Sequence, residues 1–336
     1  MGMRIRILDL RFKSIYLLLG VVTVLPVKAQ SMLTRQRAFP KQVPAGNYSG
    51  ITWLGGSQYA VVNDKSPTAG FCLMTIDIDS LNGKIRNACV DTFLTSGQPN
   101  RDEEGICYLS RVRTLFISGE TDNRIIEYRL DGTLTGRQLA VPDVFQTACH
   151  NGGFEALTYQ DATRRFWTTS EFTLTADGIC PTIKNKIPNR LRLQAFNDSL
   201  QPCEQYWYET DVSVMKKQKG RSVLGVSALA ALADGRLVVL EREIFTSRKK
   251  IGSFVQVKLY VVQPDQHPTG TLLPKKLLTS FRTKINLTAR SFANYEGLCA
   301  GPPLADGRLV LVLIADSQNQ YRGYLRDWLR TVVIDN

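Results

Sequence analysis

Residues 104–120 read Glu104-Gly105-Ile106-Cys107-Tyr108, a short polar turn, then Thr114-Leu115-Phe116-Ile117-Ser118-Gly119-Glu120. Both apolar runs are strand-length, rich in β-branched and aromatic residues and bounded by turn formers, the pattern of a hairpin. The first run opens on an acid and a glycine; the second closes on an acid. The same arrangement recurs along the chain. Ser49-Gly50-Ile51-Thr52-Trp53 precedes Tyr59 to Asp64, and Glu155-Ala156-Leu157-Thr158-Tyr159 precedes Arg165 to Glu171. Ser227-Ala228-Leu229-Ala230-Ala231 precedes Arg236 to Glu241, and Glu296-Gly297-Leu298-Cys299-Ala300 precedes Arg308 to Asp316.

The small residues at 50, 105, 156, 228 and 297 are separated by 55, 51, 72 and 69 residues. Those intervals suit a four-stranded blade with variable loops. Further strand-like runs fill them, among them Arg124–Leu130, Phe254–Val262 and Lys276–Phe281. Asp131-Gly132, Asp234-Gly235 and Asp306-Gly307 are hairpin-turn dipeptides. The expected fold is all-β, a β-propeller of five four-stranded blades; a degenerate sixth blade is compatible with the longer intervals. A β-sandwich with coincidental repeats is the competing architecture. Small side chains at the start of each copy fit the crowding of inner strands around a central channel. Residues 31–45 are expected to supply an outer strand that closes the ring onto Thr331-Val332-Val333-Ile334.

The first 29 residues differ from the rest. Arg4, Arg6, Arg11 and Lys13 form a basic region, Ser14 to Pro26 an apolar one, and Val27-Lys28-Ala29 offers small residues at a cleavage site. This reads as a signal peptide over 1–29, followed by a single propeller domain over 30–336 and export to a periplasmic or extracellular space. The apolar run is shorter than the roughly 20 residues that span a bilayer, so no stable membrane insertion is expected after cleavage. Net charge is +12 for the whole chain; five Lys/Arg and one Asp in the first 29 residues leave +8 on the remainder. That balance favours small anionic partners. The basic residues are scattered, with short clusters only at Lys216-Lys217 and Arg248-Lys249-Lys250, and there is no aromatic-interleaved stripe, so nucleic acid is not an expected partner.

Seven cysteines without a CxxC spacing, and only two histidines, exclude a zinc pattern. An exported chain permits disulfides; Cys72 with Cys89 and Cys149 with Cys180 are the candidate bridges. No G-x-S-x-G elbow or nucleotide-binding glycine loop is present.

In an antiparallel pair, the start of the first strand and the end of the second share one edge. Glu104, Glu155 and Glu296 start first strands; Asp64, Glu120, Glu171, Glu241 and Asp316 end second strands. All eight acids are therefore expected at one mouth of the channel. Clustered carboxylates repel unless cations neutralise them, and an oxygen-rich set suits Ca²⁺. The plainer reading is that each acid caps a strand or pairs with Lys65, Arg124, Arg242 or Arg322. Arg242 and Lys65, each next to a ring carboxylate, are candidates for holding a substrate anion. His150, in His150-Asn151-Gly152-Gly153, is a candidate acid or base, with Asn151 beside it a candidate for substrate binding.

Four motifs in order give a family resemblance: Asp102-Glu103-Glu104-Gly105-Ile106, Asn151-Gly152-Gly153-Phe154-Glu155-Ala156-Leu157, Trp167-Thr168-Thr169-Ser170-Glu171, and Asn294-Tyr295-Glu296-Gly297-Leu298 with Leu304-Ala305-Asp306-Gly307. Over about residues 45–335 the chain resembles the phytase-like family, described by the esterase-like activity of phytase. The resemblance implies an exported propeller and metal-assisted hydrolysis of an ester or phosphate ester, and it highlights Glu104, Glu155, Glu171 and Glu296. Ser49 and Ser227 stand where the other three copies have Glu, which places an expected metal towards blades 2, 3 and 5. Glu155, Glu296 and His150 are then the expected catalytic groups. Two other functions stay open: a non-catalytic binding propeller with at most structural calcium, and a lactonase-like propeller.

Overall fold

In a computed structural model, the residues described are 31–182, 185–215, 220–248, 250–285 and 291–335. The expected signal peptide and the Lys216-Lys217 cluster lie outside them. Among the described residues, five four-stranded antiparallel sheets account for all the strands. Blade 1 comprises β2 (Tyr48–Gly55), β3 (Gln58–Asn63), β4 (Thr68–Ile78) and β5 (Ile85–Pro99). Blade 2 holds β6 (Glu103–Leu109), β7 (Thr114–Gly119), β8 (Arg124–Arg129) and β9 (Leu134–Gln138). β10 (Phe154–Gln160), β11 (Arg165–Ser170), β12 (Arg190–Phe196) and β13 (Pro202–Glu209) make blade 3. Blade 4 is taller, with β14 (Gly220–Ala231), β15 (Leu237–Ser247), β16 (Phe254–Val262) and β17 (Lys276–Lys284). Blade 5 takes β18 (Asn294–Ala300), β19 (Leu309–Asp316) and β20 (Leu329–Ile334), and its fourth strand is β1 (Ser31–Leu33). β1 pairs with β20 as Ser31↔Ile334, Met32↔Val333 and Leu33↔Val332, so the N-terminal segment closes the ring as expected. The spacing left room for a sixth blade; the strands form five. Among the described residues no helix is long and apolar enough to cross a membrane.

The first strands touch one another in the cyclic order β2, β6, β10, β14, β18 and back to β2. Second strands show why their sequences are apolar throughout rather than alternating. Successive side chains point to opposite faces of a blade, and each face packs on a different neighbour. Leu115 and Ile117 join Val62 and Phe71 of blade 1, whereas Phe116 joins Phe154 and Phe166 of blade 3. Val239 packs with Trp167 and Leu193 of blade 3, and Val238 with Leu313 and Val332 of blade 5. Blades 1 and 5 share the remaining core through Val61, Met74, Val312 and Ile314.

The small residues that begin each copy are fixed by inter-blade approach. A Cβ built on Gly297 would lie 2.2 Å from the Ser49 carbonyl oxygen and 2.5 Å from Ile314 Cγ2. Overpacking of this kind typically costs about 1–3 kcal/mol. Gly297→Val is therefore expected to lower the urea-unfolding free energy by about that amount or more; an unchanged midpoint would mean that the blades part easily at this seam.

The expected Cys72–Cys89 bridge does not form. Register pairs Cys72 with Phe93 and Cys89 with Thr75. The two cysteines are thus offset by three positions, about 10 Å along the strand, beyond the Cα separation of about 7 Å that a disulfide spans. Cys72 is buried in the core, and Cys89 Sγ donates to Asp91 Oδ1 at 3.3 Å.

Candidate functional site at the channel mouth

Every first strand is bulged at the same place. Register shifts fall between Tyr48 and Ile51, Glu103 and Ile106, Phe154 and Ala156, Val226 and Ala228, and Tyr295 and Gly297. A bulge re-aims the side chain it carries. The residues held in these five bulges include Ser49, Glu104, Glu155, Ser227 and Glu296. On the second strands, the partners of Ile51, Ile106, Leu157, Leu229 and Leu298 are Val61, Ile117, Thr168, Val239 and Leu313. Three residues beyond them stand Asp64, Glu120, Glu171, Arg242 and Asp316. The mouth thus carries two tiers of five positions, with seven acids, two serines and one arginine.

Arg242 occupies the position that holds an acid in every other blade. It is fully buried; Nη2 donates to Glu171 Oε1 at 2.6 Å, and Nη1 donates to Glu296 Oε1 and, at 3.1 Å, to Asn294 Oδ1. Asn294 Nδ2 donates to the same Glu296 oxygen at 2.7 Å. Burial works against the guanidinium charge, but Glu296, Glu171 and Glu155 outweigh it and hold the group firmly protonated. Three expectations are corrected here. Arg242 is the internal counterion of the rim and not a free anion-binding group. Glu171 and Glu296 are tied to that counterion, so Glu296 lacks the free oxygen pair of a base. The metal-like grouping moves away from blade 5.

It lies instead across blades 1, 2 and 3. One carboxylate oxygen from each of Asp64, Asp102 and Glu104 falls within 4.8 Å of the others, and the same holds for Glu104, Glu120 and Glu155. Oxygens so spaced are within reach of one Ca²⁺, whose ligands sit at about 2.3–2.6 Å. Glu104 belongs to both groups. Ser49 Oγ donates to Glu104 Oε2 at 2.5 Å, so the serine of blade 1 steadies the glutamate of blade 2. Lys65 pairs with Asp102 and, at 3.3 Å, with Asp64.

Two observations show that this donor set is not self-sufficient. Asp64 Oδ1 is buried without a hydrogen-bond partner, and among the described residues no donor hydrogen-bonds the Glu155 carboxylate. Burial, then the charges of Glu155, Glu296 and Asp64, raises the Glu104 carboxyl well above its usual range. Burial, then Glu171, raises Glu155 in the same way. Asp64 is raised first by burial, against the opposing pull of Lys65. A hard cation in either group would offset the charge of the acids that form it.

The remaining expected residues are placed as follows. Asp316 is at the rim, its Oδ1 accepting the Gln318 N–H at 2.6 Å, and burial and Glu296 raise its carboxyl. Glu241 is not at the rim. It faces away from the channel and accepts from Tyr208 Oη at 2.6 Å, from the Asp211 N–H at 3.0 Å and from Lys275 Nζ at 2.6 Å. A slip of one residue moves a strand side chain to the other face, and Arg242 takes the channel position. His150 and Asn151 are exposed on the loop before β10. His150 is near enough to Glu120 to lower its carboxyl pKa, although burial and Asp102 raise it more.

Asp102 joins the grouping without having been expected as a ligand. Its backbone is left-handed at φ 59°, a conformation that Asp tolerates, and its carbonyl accepts the Glu120 N–H at 2.9 Å. The signal in the sequence was the run Asp102-Glu103-Glu104. Alternation puts Asp102 and Glu104 on the channel side and turns Glu103 inwards, 3.6 Å from Arg101, where burial pushes its carboxyl up to about 7.

Fold and site together define a five-bladed β-propeller with an acid-lined channel mouth. The profile of the phytase-like family, described as "Esterase-like activity of phytase", matches residues 43–318, and the chain belongs to that family. Among solved structures it is similar to a luciferin-regenerating enzyme, at 10% identity over 89% of this chain and 94% of that one, TM-score 0.44. An endo-arabinase from Bacteroides thetaiotaomicron VPI-5482 shares 12% identity over 88% of this chain and 97% of that one, TM-score 0.46. A chain of a nidogen–laminin complex shares 11% over 86% and 85%, TM-score 0.40. Likenesses this distant carry no function across. No curated protein matches the chain.

Proposed function

We propose that the chain is an exported, calcium-dependent hydrolase of small anionic or ester substrates, phosphate esters included, working at the acid-lined mouth. The observation that carries this reading is the pair of oxygen groups joined at Glu104, one of whose members, Asp64, has a buried Oδ1 without a hydrogen-bond partner. Asp64, Asp102, Glu104, Glu120 and Glu155 would hold calcium, which supplies polarisation of an ester oxygen and acidification of a water. The protein's own groups do the rest. Glu155 is buried, is bonded by no donor among the described residues and has its carboxyl raised by burial and Glu171, as suits a carboxylate that takes a proton from a water or substrate. Lys65, whose side chain is 57% exposed, lies at the outer edge, where it can orient a substrate anion beside Asp64 and Asp102. His150 overlooks the same edge. Arg242 bonds Glu171 and Glu296 and fixes them in place, so that the mouth stays shaped while the free acids act.

Metal analysis of the purified protein, together with turnover of p-nitrophenyl phosphate, p-nitrophenyl acetate and a lactone panel, tests the reading. Calcium-dependent turnover is expected, and Glu155→Gln is expected to lower kcat by about 100-fold or more with the fold intact. Calcium bound without turnover of any ester would overturn the hydrolase and leave a binding propeller. Turnover confined to lactones would make the chain a lactonase.

A further inference from the structure

We propose that Cys149 and Cys180 are a disulfide pair that fastens the rim loop carrying His150 and Asn151. Both thiols turn onto a single acceptor, the Thr173 carbonyl oxygen, at 3.6 Å from Cys149 Sγ and 3.4 Å from Cys180 Sγ. The Cys149 thiol is near enough to Cys180 to help burial push it up to about 11. The segments that carry them already run together. The Thr175 N–H and hydroxyl both donate to the Thr147 carbonyl oxygen, at 3.0 and 2.7 Å. Gly152 lies so close to Phe172 that an added Cβ would sit 2.6 Å from its ring. Two sulfurs that share one acceptor, on segments joined by backbone hydrogen bonds, need only a short movement to meet the geometry of a disulfide. Both cysteines are half-buried, so an oxidant can reach them, whereas Cys72, Cys107 and Cys299 are buried in the inter-blade cores.

The step is thiol–disulfide exchange with a disulfide donor, either a small-molecule disulfide or a protein oxidant. One thiolate attacks the donor disulfide and forms a mixed disulfide; the other then displaces the donor's second sulfur. Two electrons pass to the donor, which leaves as two thiols carrying the two protons. The bond braces the residues that lead into the site. The Gly153 N–H donates to Glu120 Oε1 at 3.4 Å, and the Gly153 carbonyl accepts the Glu171 N–H at 3.0 Å. This inference does not depend on the metal reading of the mouth.

The test is equilibration of the full chain with oxidised and reduced glutathione, followed by intact mass, alkylation and peptide mapping. The oxidised protein is expected to lose two mass units and to yield one cross-linked pair, Cys149 with Cys180. Its reduction is expected to lower Tm by roughly 5 °C and to speed amide exchange over residues 147–155. Cys149→Ser and Cys180→Ser, tested singly, should show neither response to reductant. Full alkylation of both cysteines at equilibrium with oxidised glutathione, or a cross-link from either to another cysteine, would overturn the pairing. A cross-link whose reduction changes neither Tm nor exchange would overturn the bracing role.

Discussion

Arg242→Met is expected to destabilise the fold by about 3–5 kcal/mol at pH 8, and by far less at pH 5. The guanidinium is the one cation among the ten channel-mouth positions, and it bonds Glu171 and Glu296 directly. Removing it leaves the buried Glu171 carboxylate and the half-buried Glu296 carboxylate, and Glu155, without their counter-charge. Breaking a buried pair from one side is costly because the orphaned charge stays out of water. The sign of the pH dependence follows from the protons. Burial raises the Glu171 carboxyl to about 7 even with Arg242 opposing it; without the arginine, Glu171 is expected to titrate higher still above its unfolded value near 4.3. The folded form then binds more protons than the unfolded one, and stability is lost as pH rises through the folded pKa values. Wild type, with both glutamates held by Arg242, has less of this penalty. Urea melts of both proteins from pH 5 to pH 8 measure it directly. A gap between them that is constant with pH, or smaller than about 1 kcal/mol at pH 8, would show that the pair is solvated.

The parts of this architecture visible in the sequence are those written in local pattern. The fivefold recurrence of a small residue before Ile or Leu, and of a polar residue ahead of it, follows from crowding at the inner strands, so it repeats wherever the crowding does. The ring acids were legible where a strand ends just below them, as at Gly119-Glu120 and Ser170-Glu171. Blade 4 hid its member because β15 continues to Ser247. In Leu240-Glu241-Arg242-Glu243 no strand end marks the rim, and only the bulge between Val226 and Ala228 sets which of three charged residues faces the channel. A bulge is a property of the pairing of two strands, not of either strand's composition. Asp102 was hidden for a related reason: its place in the metal-like grouping depends on a left-handed loop residue held by Glu120. The partner of Arg242 is likewise tertiary, since Glu171 and Glu296 come from the blades on either side of it. The expectation that set the metal towards blades 2, 3 and 5 rested on counting acids without knowing where the single arginine points; the carboxylate groups lie across blades 1, 2 and 3.

Calcium is expected to stabilise the wild-type protein strongly at pH 8 and weakly at pH 5, and Glu104→Gln is expected to reverse the pattern of stability. In the metal-free protein Asp64, Glu104 and Glu155 all titrate above their ordinary values, with burial the first cause in each case. Groups raised in this way contribute stability that is complete below the unfolded values near pH 4 and disappears as pH climbs through the folded ones. The metal-free propeller therefore weakens towards neutrality. Calcium binds the deprotonated oxygens, and at a free concentration of 100 times Kd it adds about 2.7 kcal/mol. Replacing Glu104 by Gln removes the one carboxylate common to both oxygen groups while keeping an acceptor for Ser49. Mutual repulsion then falls, so the metal-free variant should be more stable than metal-free wild type at pH 8. The same change takes a ligand from each group, so most of the calcium response should vanish. Thermal unfolding in chelator and in millimolar calcium, at both pH values, reads all four states. If wild type and Glu104→Gln gain equally from calcium, the ion binds elsewhere; if neither gains, the mouth is an uncompensated ring of buried acids and the metal reading fails.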